Sequence, residues 1–333
     1  MQTSLCALST HAQTTSDVEE PLFPNEYKNT IFDECDPQQE RADRTEVRKF
    51  AKGVKVVIQS CNEYEYYAAL ELTKPPTKLF ERAVRCDIEH TEVTLGMFAG
   101  CKAAIVWTKQ GVSCMTELQK ILHFFSNPKA LLGLGVAFGM DENVVRFCDV
   151  LVANQIIDYA ERPKIVDGKL QHRGQILNTK KTLDKIFCKD TTGWKFACTK
   201  GDRLAKPVIG KLVSSPNLIN DAKFKQGIKE AYPDAKGGEM EGWVHYAHIQ
   251  DEFPTIEAII IKGVADYGDG EKVKTWQLSA AKAAVNYAHF QLGRSSVYKE
   301  SQPVVPLSHY VLISLCVCIF AIVVAVVLGR ALY

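Results

Sequence analysis

The stretch from Ile256 to Gly270 reads IEAIIIKGVADYGDG, an apolar run that passes directly into a polar turn. The β-branched residues up to Val264 predict a buried strand, because runs of this composition fit the interior of a sheet. Open α/β sheets bind ligands beyond the carboxyl ends of their strands. Asp266, which follows this strand, is therefore a candidate site residue.

Shorter apolar runs on the N-terminal side of this stretch predict the rest of a sheet. They cover residues 54–58, 103–107, 131–136 and 150–153, and apolar residues at helical spacing mark 64–72, 115–125 and 277–292. Strands that alternate with helices predict an α/β fold. We expect a three-layer sandwich with a mixed central sheet and helices on both faces.

Composition limits the class of protein. The chain has 333 residues, of which 46% are hydrophobic and 24% charged, and its formal net charge is +1. The apolar content excludes general disorder, and the balanced charge gives no electrostatic reason to bind nucleic acid. The 11 cysteines include no CxxC pair, which indicates reduced thiols in a cytosolic setting. No His, Cys and carboxylate cluster has metal-ligand spacing, so we expect no metal and no cofactor.

The ends of the chain differ from its globular middle, which we place at residues 51–295. Residues 1–50 are polar and aperiodic, which predicts a disordered N-terminal arm; the alternative is a short docking segment around residues 23–32. Residues 296–309 contain two prolines and read as a linker.

The C-terminal run from Tyr310 to Leu328 carries no charge over nineteen residues. At ~1.5 Å per residue it is long enough to cross a hydrocarbon core of ~30 Å. We expect a single-pass transmembrane helix at 310–329 that contacts membrane lipid as a tail anchor, with the catalytic domain in the cytosol. The alternative is a buried core helix.

Two more polar stretches stand at the ends of predicted elements. Residues 59–65 read QSCNEYE after the first strand, and residues 237–242 read GGEMEG before a helix. Each stretch has an ordinary interpretation as well. Asp266 can be a turn former, Glu239 and Glu241 solvated charges at a helix N-terminus, and Glu65 an exposed helix residue.

The order of these motifs resembles the nucleoside phosphorylase/nucleosidase superfamily. GGEMEG, followed about 25 residues later by a strand that ends in Val-Ala-Asp, is similar to the signatures of its 5'-methylthioadenosine/S-adenosylhomocysteine nucleosidase branch. The resemblance covers about residues 52–293. It implies a hydrolase that cleaves the N-glycosidic bond of a purine nucleoside without a cofactor, in a family whose members are often homodimers.

The resemblance also implies catalytic roles for three carboxyl groups. Asp266 matches the acid that protonates N7 of the leaving purine. Glu65 matches the carboxylate that orients the attacking water, with Glu63 as a rival for this role. Glu239 is the first carboxylate of the Glu-Met-Glu motif and is the third predicted catalytic residue. A departing base needs an acid and a cationic sugar needs nearby anions, so these residue types suit the reaction.

Four further residues are expected to bind the substrate. By the resemblance, Glu241 holds the ribose hydroxyls and Met240 packs against the sugar. Leu218 and Ile219 fall where the family stacks and hydrogen-bonds the purine. An aromatic residue is common at the stacking position, so Leu218 departs from the family pattern.

Two alternatives to a hydrolase remain. A phosphorylase uses phosphate in place of water and needs cationic partners such as Arg. Residues 131–135 carry no cation, and Val136 stands in a turn that lacks the family's small hydroxyl residue. Both departures favour water as the nucleophile. A non-catalytic pseudo-enzyme scaffold is the other alternative, which Val136 and Leu218 would suit.

The substrate is predicted only as a class. Residues 266–288 resemble the variant found in nucleosidase domains of eukaryotic immune-type proteins, some of which cleave adenine nucleotides. The candidates are therefore methylthioadenosine, S-adenosylhomocysteine or an ATP-like nucleotide, with adenine as the expected base. A triphosphate would need a basic mouth, for which His172, Arg173, Lys180 and Lys181 are candidates.

Overall fold

The structure is a computed structural model that describes residues 37–299, apart from positions 89, 160–163, 167–168, 172–173, 199–202 and 271–273. The helices are α1 (Pro37–Lys52), α2 (Glu63–Glu71), α3 (Cys114–Phe124), α4 (Lys181–Phe187), α5 (Ala222–Ala231), α6 (Gly242–Glu252) and α7 (Gln277–Arg294). The strands are β1 (Val56–Ser60), β2 (Thr73–Lys74), β3 (Val84–Ile88), β4 (Thr91–Phe98), β5 (Cys101–Trp107), β6 (Ala130–Gly139), β7 (Val150–Asp158), β8 (Lys164–Val166), β9 (Lys169–Gln171), β10 (Ile176–Asn178), β11 (Pro207–Ser214), β12 (Ala235–Glu239) and β13 (Glu257–Asp266).

The apolar runs predicted the principal strands correctly. These runs correspond to β1, β5, β6, β7 and β13, and the three predicted helices correspond to α2, α3 and α7. Eleven strands form one mixed sheet. β1 pairs in parallel with β5 and β6, and β6 pairs in parallel with β13, whereas β4 and β5 are antiparallel.

One end of this sheet curls into a ring, which the sequence did not predict. β6 pairs with β12, β12 with β11, β11 with β7, β7 with β13, and β13 again with β6. Because β12 runs antiparallel to β6, the carboxyl ends of these two strands cross, and Gly238 pairs with Phe138. The ring therefore brings the end of β12 to the same place as the end of β13.

Helices cover both faces of the sheet, as the three-layer prediction requires. Along β1, Val56 and Ile58 face the core that contains Tyr66 of α2 and Tyr287 of α7. The intervening Val57 faces a second core, to which α1, α3 and α6 contribute. Alternate side chains of a strand point to opposite faces, so a buried strand must be apolar throughout.

The N-terminal boundary differs from the sequence prediction of an arm over residues 1–50. Residues 37–52 form helix α1, and Phe50 near its end is only 2% exposed. The helical pattern of apolar residues is hard to recognise in the sequence, because α1 is highly charged. Its apolar residues Val47, Phe50 and Ala51 form only a narrow stripe.

The other predictions for the chain ends fall outside the described residues. These are the arm up to residue 36, most of the linker at 296–309, and the transmembrane helix at 310–329. Of the helices that the structure describes, none has the length and apolar character needed to cross a membrane.

Candidate active site

A cavity of about 400 Å³ opens where the carboxyl ends of β1, β6, β12 and β13 meet. It brings together all seven residues that the sequence predicted for the site. Its lining includes Glu65, Leu218, Ile219, Glu239, Met240, Glu241 and Asp266.

Glu65 is a buried carboxylate in the first turn of α2, only 2% exposed. Asn62 caps the helix by accepting a hydrogen bond from the Glu65 backbone N–H at 3.1 Å. One carboxylate oxygen of Glu65 accepts the Cys61 N–H at 2.8 Å, and the other accepts the Val136 N–H at 2.9 Å. Burial raises the pKa of Glu65, although Lys262 opposes this effect. Glu63, the rival, also borders the cavity but is exposed.

Gly135 is required by the position of this carboxylate. A Cβ atom built on Gly135 would overlap the Glu65 carboxyl group. The glycine therefore lets β6 pass directly beneath the acid, and the next residue, Val136, donates its N–H. The absence of a side chain here is a steric requirement of the site.

Glu239 has a structural task at the end of β12. Its carboxylate accepts the backbone N–H of Glu241 at 2.9 Å and that of Gly242 at 2.8 Å, which caps the N-terminus of α6. Burial raises the pKa of Glu239, despite the opposing charge of Lys262. The ordinary interpretation as a solvated charge is wrong, since Glu239 is buried.

Glu241 has a different set of partners from Glu239. Its carboxylate accepts the Gly111 N–H at 3.0 Å and lies 3.3 Å from the Lys262 ammonium. Burial acts to raise the pKa of Glu241, but Lys262 and the Gly111 N–H outweigh it and the pKa is lowered. The pKa of Glu241 is thus lowered, whereas that of the neighbouring Glu239 is raised.

Lys262 is a functional candidate that the sequence analysis missed. It lies on β13, its side chain is 1% exposed, and it is surrounded by Glu65, Glu239 and Glu241. Burial acts to lower the pKa of Lys262, but these three carboxylates raise it above its ordinary value. The signal was present in IEAIIIKGV, where a single lysine interrupts a strand that is otherwise apolar.

Asp266 lies at the end of β13 on the wall of the cavity and is partly exposed. One carboxylate oxygen accepts the Gly268 N–H at 3.0 Å, the bond of a turn former. Gly268 has φ +61°, in the left-handed region that favours glycine. The turn bond fixes the carboxyl group at the cavity wall, so the turn role and a catalytic role are compatible.

The two residues predicted at the base position differ in exposure. Ile219 is buried, in a cluster with Phe138, whereas Leu218 is 62% exposed at the rim. An apolar side chain at such a rim offers a surface for stacking. Met240 is partly exposed in the same cavity.

The described lining of this cavity contains no arginine or lysine side chain. Lys180, a candidate for a basic mouth, instead donates to the Pro254 and Ile256 carbonyls at 3.0 and 2.9 Å. His172 and Arg173 lie outside the described residues. Among the residues that the structure describes, no cluster of three His, Cys, Asp or Glu side chains could hold a metal ion.

Known proteins share this architecture. No family model matches the chain. The S-adenosylhomocysteine nucleosidase of Streptococcus pyogenes, solved with 5-methylthiotubericidin, superposes with a TM-score of 0.58 at 16% identity, over 73% of this chain and 98% of that one. The futalosine hydrolase of Helicobacter pylori gives 0.55 at 15% identity, over 72% and 97%. The chain therefore has the fold of these enzymes, and this is the fold that the resemblance in its motifs predicted.

A known protein is also similar to the chain in sequence. The chain is 30% identical over 266 residues to a "Death domain-containing ATP nucleosidase" of Amphimedon queenslandica. The match covers 71% of this chain and 48% of that protein, so the chain spans about half the length of its relative.

Proposed function

We propose that this protein hydrolyses the N-glycosidic bond of a purine nucleoside or nucleotide and releases the free base. The observation that carries the proposal is the excess of negative charge around one cavity. Glu65, Glu239 and Glu241 surround a single cation, Lys262, and Asp266 adds a fourth carboxyl group at the rim. An anionic pocket stabilises a sugar that becomes cationic as the base departs.

The carboxyl groups divide the reaction between them by position. Asp266 lines the same cavity as Ile219 and Leu218, which supports a role in protonating a base bound against them. Glu65, with a raised pKa and both oxygens fixed by backbone N–H groups, suits the removal of a proton from water. Glu241, whose pKa is lowered, suits hydrogen bonds from ribose hydroxyls.

Water is the nucleophile that this cavity favours. A phosphate ion binds in a site where cationic side chains, preferably a bidentate arginine, compensate its charge. The one cation near the described carboxylates, Lys262, is already engaged by Glu241 at 3.3 Å. A second anion beside this cluster would meet mainly like charge.

We further propose that the base is adenine and that the 5' substituent is polar, as in an adenine nucleotide. Four amide side chains line the cavity, those of Asn62, Gln110, Asn217 and Gln277. Amide groups donate hydrogen bonds to phosphate oxygens, whereas a thioether group binds better against apolar side chains. The similarity to an ATP nucleosidase supports the same choice.

The location of the protein is also a proposal. The uncharged run at 310–328 supports a single-pass membrane helix, and we propose that the catalytic domain lies in the cytosol. Association into a homodimer is supported by the family resemblance alone.

The test is a substrate panel applied to the full chain, purified in detergent. Methylthioadenosine, S-adenosylhomocysteine, adenosine, AMP and ATP are each incubated with and without phosphate, and chromatography separates base, ribosyl product and ribose 1-phosphate. We expect adenine release at a rate independent of phosphate, fastest with a nucleotide. Ribose 1-phosphate as product would instead identify a phosphorylase, and no base release from any compound would identify a pseudo-enzyme.

A further inference from the structure

A second cavity, of about 600 Å³, lies between helix α1, strand β3 and the end of helix α3. Among the residues that the structure describes, none lines both this cavity and the candidate active site. Cavities that hold small ligands or side chains typically measure ~300–1,000 Å³. We call this second cavity the α1 groove.

The α1 groove has a cationic edge above an apolar floor. Arg44, Arg48 and Lys52 line it from positions four residues apart on α1, so they stand in one row along the helix. Asp87 also lines the groove, so its described charges are three cations and one carboxylate. Below this row lie Ile88 and Leu95, both buried, while Phe124 is 51% exposed. A ligand that matches both features carries negative charges beside large apolar side chains.

One segment of this chain has that chemistry. Residues 17–27 read DVEEPLFPNEY, which contains four carboxylates and no lysine or arginine. Leucine, phenylalanine and tyrosine stand among these acids at positions 22, 23 and 27. We propose that this segment, which lies outside the described residues, docks in the α1 groove as an intramolecular ligand.

The connection between segment and groove is long enough. Nine residues lie between Tyr27 and Pro37, where α1 begins, so the chain covers ten steps, and at ~3.3 Å per step an extended chain spans roughly 33 Å. From Pro37 to Lys52 the helix rises only roughly 22 Å, at ~1.5 Å per residue. The segment can therefore fold back along the whole cationic row.

Tethering favours this occupant over a separate partner of the same chemistry. A short flexible tether holds a ligand at an effective concentration in the millimolar range. Contacts that are individually weak, such as exposed ion pairs, then suffice for docking. The docked segment would cover Phe124, the most exposed apolar side chain of the groove.

Photo-crosslinking in the full chain tests this docking. p-Benzoylphenylalanine in place of Phe23 keeps an aromatic ring at that position, and mass spectrometry locates its adducts after irradiation in detergent. We expect intramolecular adducts within residues 44–52, 86–88 and 124–126. Adducts confined to other surfaces would overturn the proposal. So would adducts that join two chains, since these would identify a second copy as the occupant.

Charge variants supply the matched comparison. Arg48→Glu combined with Lys52→Glu should lower the groove adducts by roughly three- to ten-fold, because two exposed ion pairs are replaced by repulsions. Lys49→Glu is the control, since Lys49 lies in the same last turn but outside the groove and is 77% exposed in its side chain. Glu19→Lys with Glu20→Lys should restore the adducts of the Arg48/Lys52 double variant. Equal yields in the double variant and the control would overturn the proposal.

Discussion

Replacing Lys262 with methionine tests the electrostatic account of the site. The substitution keeps an unbranched chain of similar length but removes the one cation among three buried glutamates. Deleting one partner of a buried ion pair costs about 3–5 kcal/mol, because the remaining charge is left uncompensated. We expect a loss of this size in the free energy of unfolding at pH 8, together with the loss of base release.

The pH dependence of this loss follows from the pKa shifts. Lys262 has a raised pKa when folded, so its stabilising effect is complete below its ordinary pKa of 10.5 and is lost only as pH rises through the folded value. In the variant, burial without a cation raises the pKa of Glu241 and Glu65, and the folded state takes up protons as the pH falls. The penalty of Lys262→Met should therefore shrink between pH 8 and pH 5.

Thermal and urea unfolding of the full chain in detergent measure the effect. Lys282→Met is the matched control, because Lys282 forms a 2.8 Å ion pair with Glu71 at the surface, where such pairs contribute about 0–1 kcal/mol. The double variant Lys262→Met/Glu241→Gln should recover part of the stability but none of the activity. If Lys262→Met costs no more than Lys282→Met, the buried cluster does not have the energetics argued here.

Three further predictions concern the site and the chain end. Gly135→Ala should cost about 1–3 kcal/mol and most of the activity, because its Cβ overlaps the Glu65 carboxyl group; unchanged unfolding curves would contradict this. Glu65→Gln should lower kcat by ~10²–10⁴-fold, whereas Glu63→Gln should stay within about two-fold, and a larger loss in Glu63→Gln would assign the role to Glu63. Removal of residues 307–333 should give a protein that stays in solution without detergent and still releases the base. Aggregation or loss of the circular dichroism signal would assign this run to the core.

The sequence predicted the strands and the site together for one physical reason. Buried strands in a three-layer fold must be apolar on both faces, so β1, β6 and β13 are visible as apolar runs. Polar residues that follow such runs meet at one edge of the sheet, and Glu65 and Asp266 do line one cavity.

What the sequence did not reveal depends on contacts between distant segments. Because β7 pairs with β13, the sheet closes into a ring, and this brings Gly238 of β12 opposite Phe138 of β6. No local sequence pattern predicts this strand pairing. In the sequence, Lys262 is a single charged residue within an apolar strand. Its ion-pair partner Glu241 belongs to another element, so the pair is seen only in the structure. The sequence favoured Glu65 but left Glu63 as a rival, and only the helical turn shows that Glu65 faces inward.

The role of Asp266 is the central claim, and a paired substitution tests it most directly. Asp266→Asn keeps the size of the side chain and an oxygen that can accept the Gly268 N–H, but it cannot deliver a proton to a departing base. Asp269→Asn changes the nearest carboxylate of the same turn, which does not line the cavity. With the best substrate of the panel, we expect kcat to fall ~10²–10⁴-fold for Asp266→Asn, with unfolding unchanged, and by less than about three-fold for Asp269→Asn. Equal, small losses in the two variants would show that Asp266 only forms the turn, and would contradict the catalytic account.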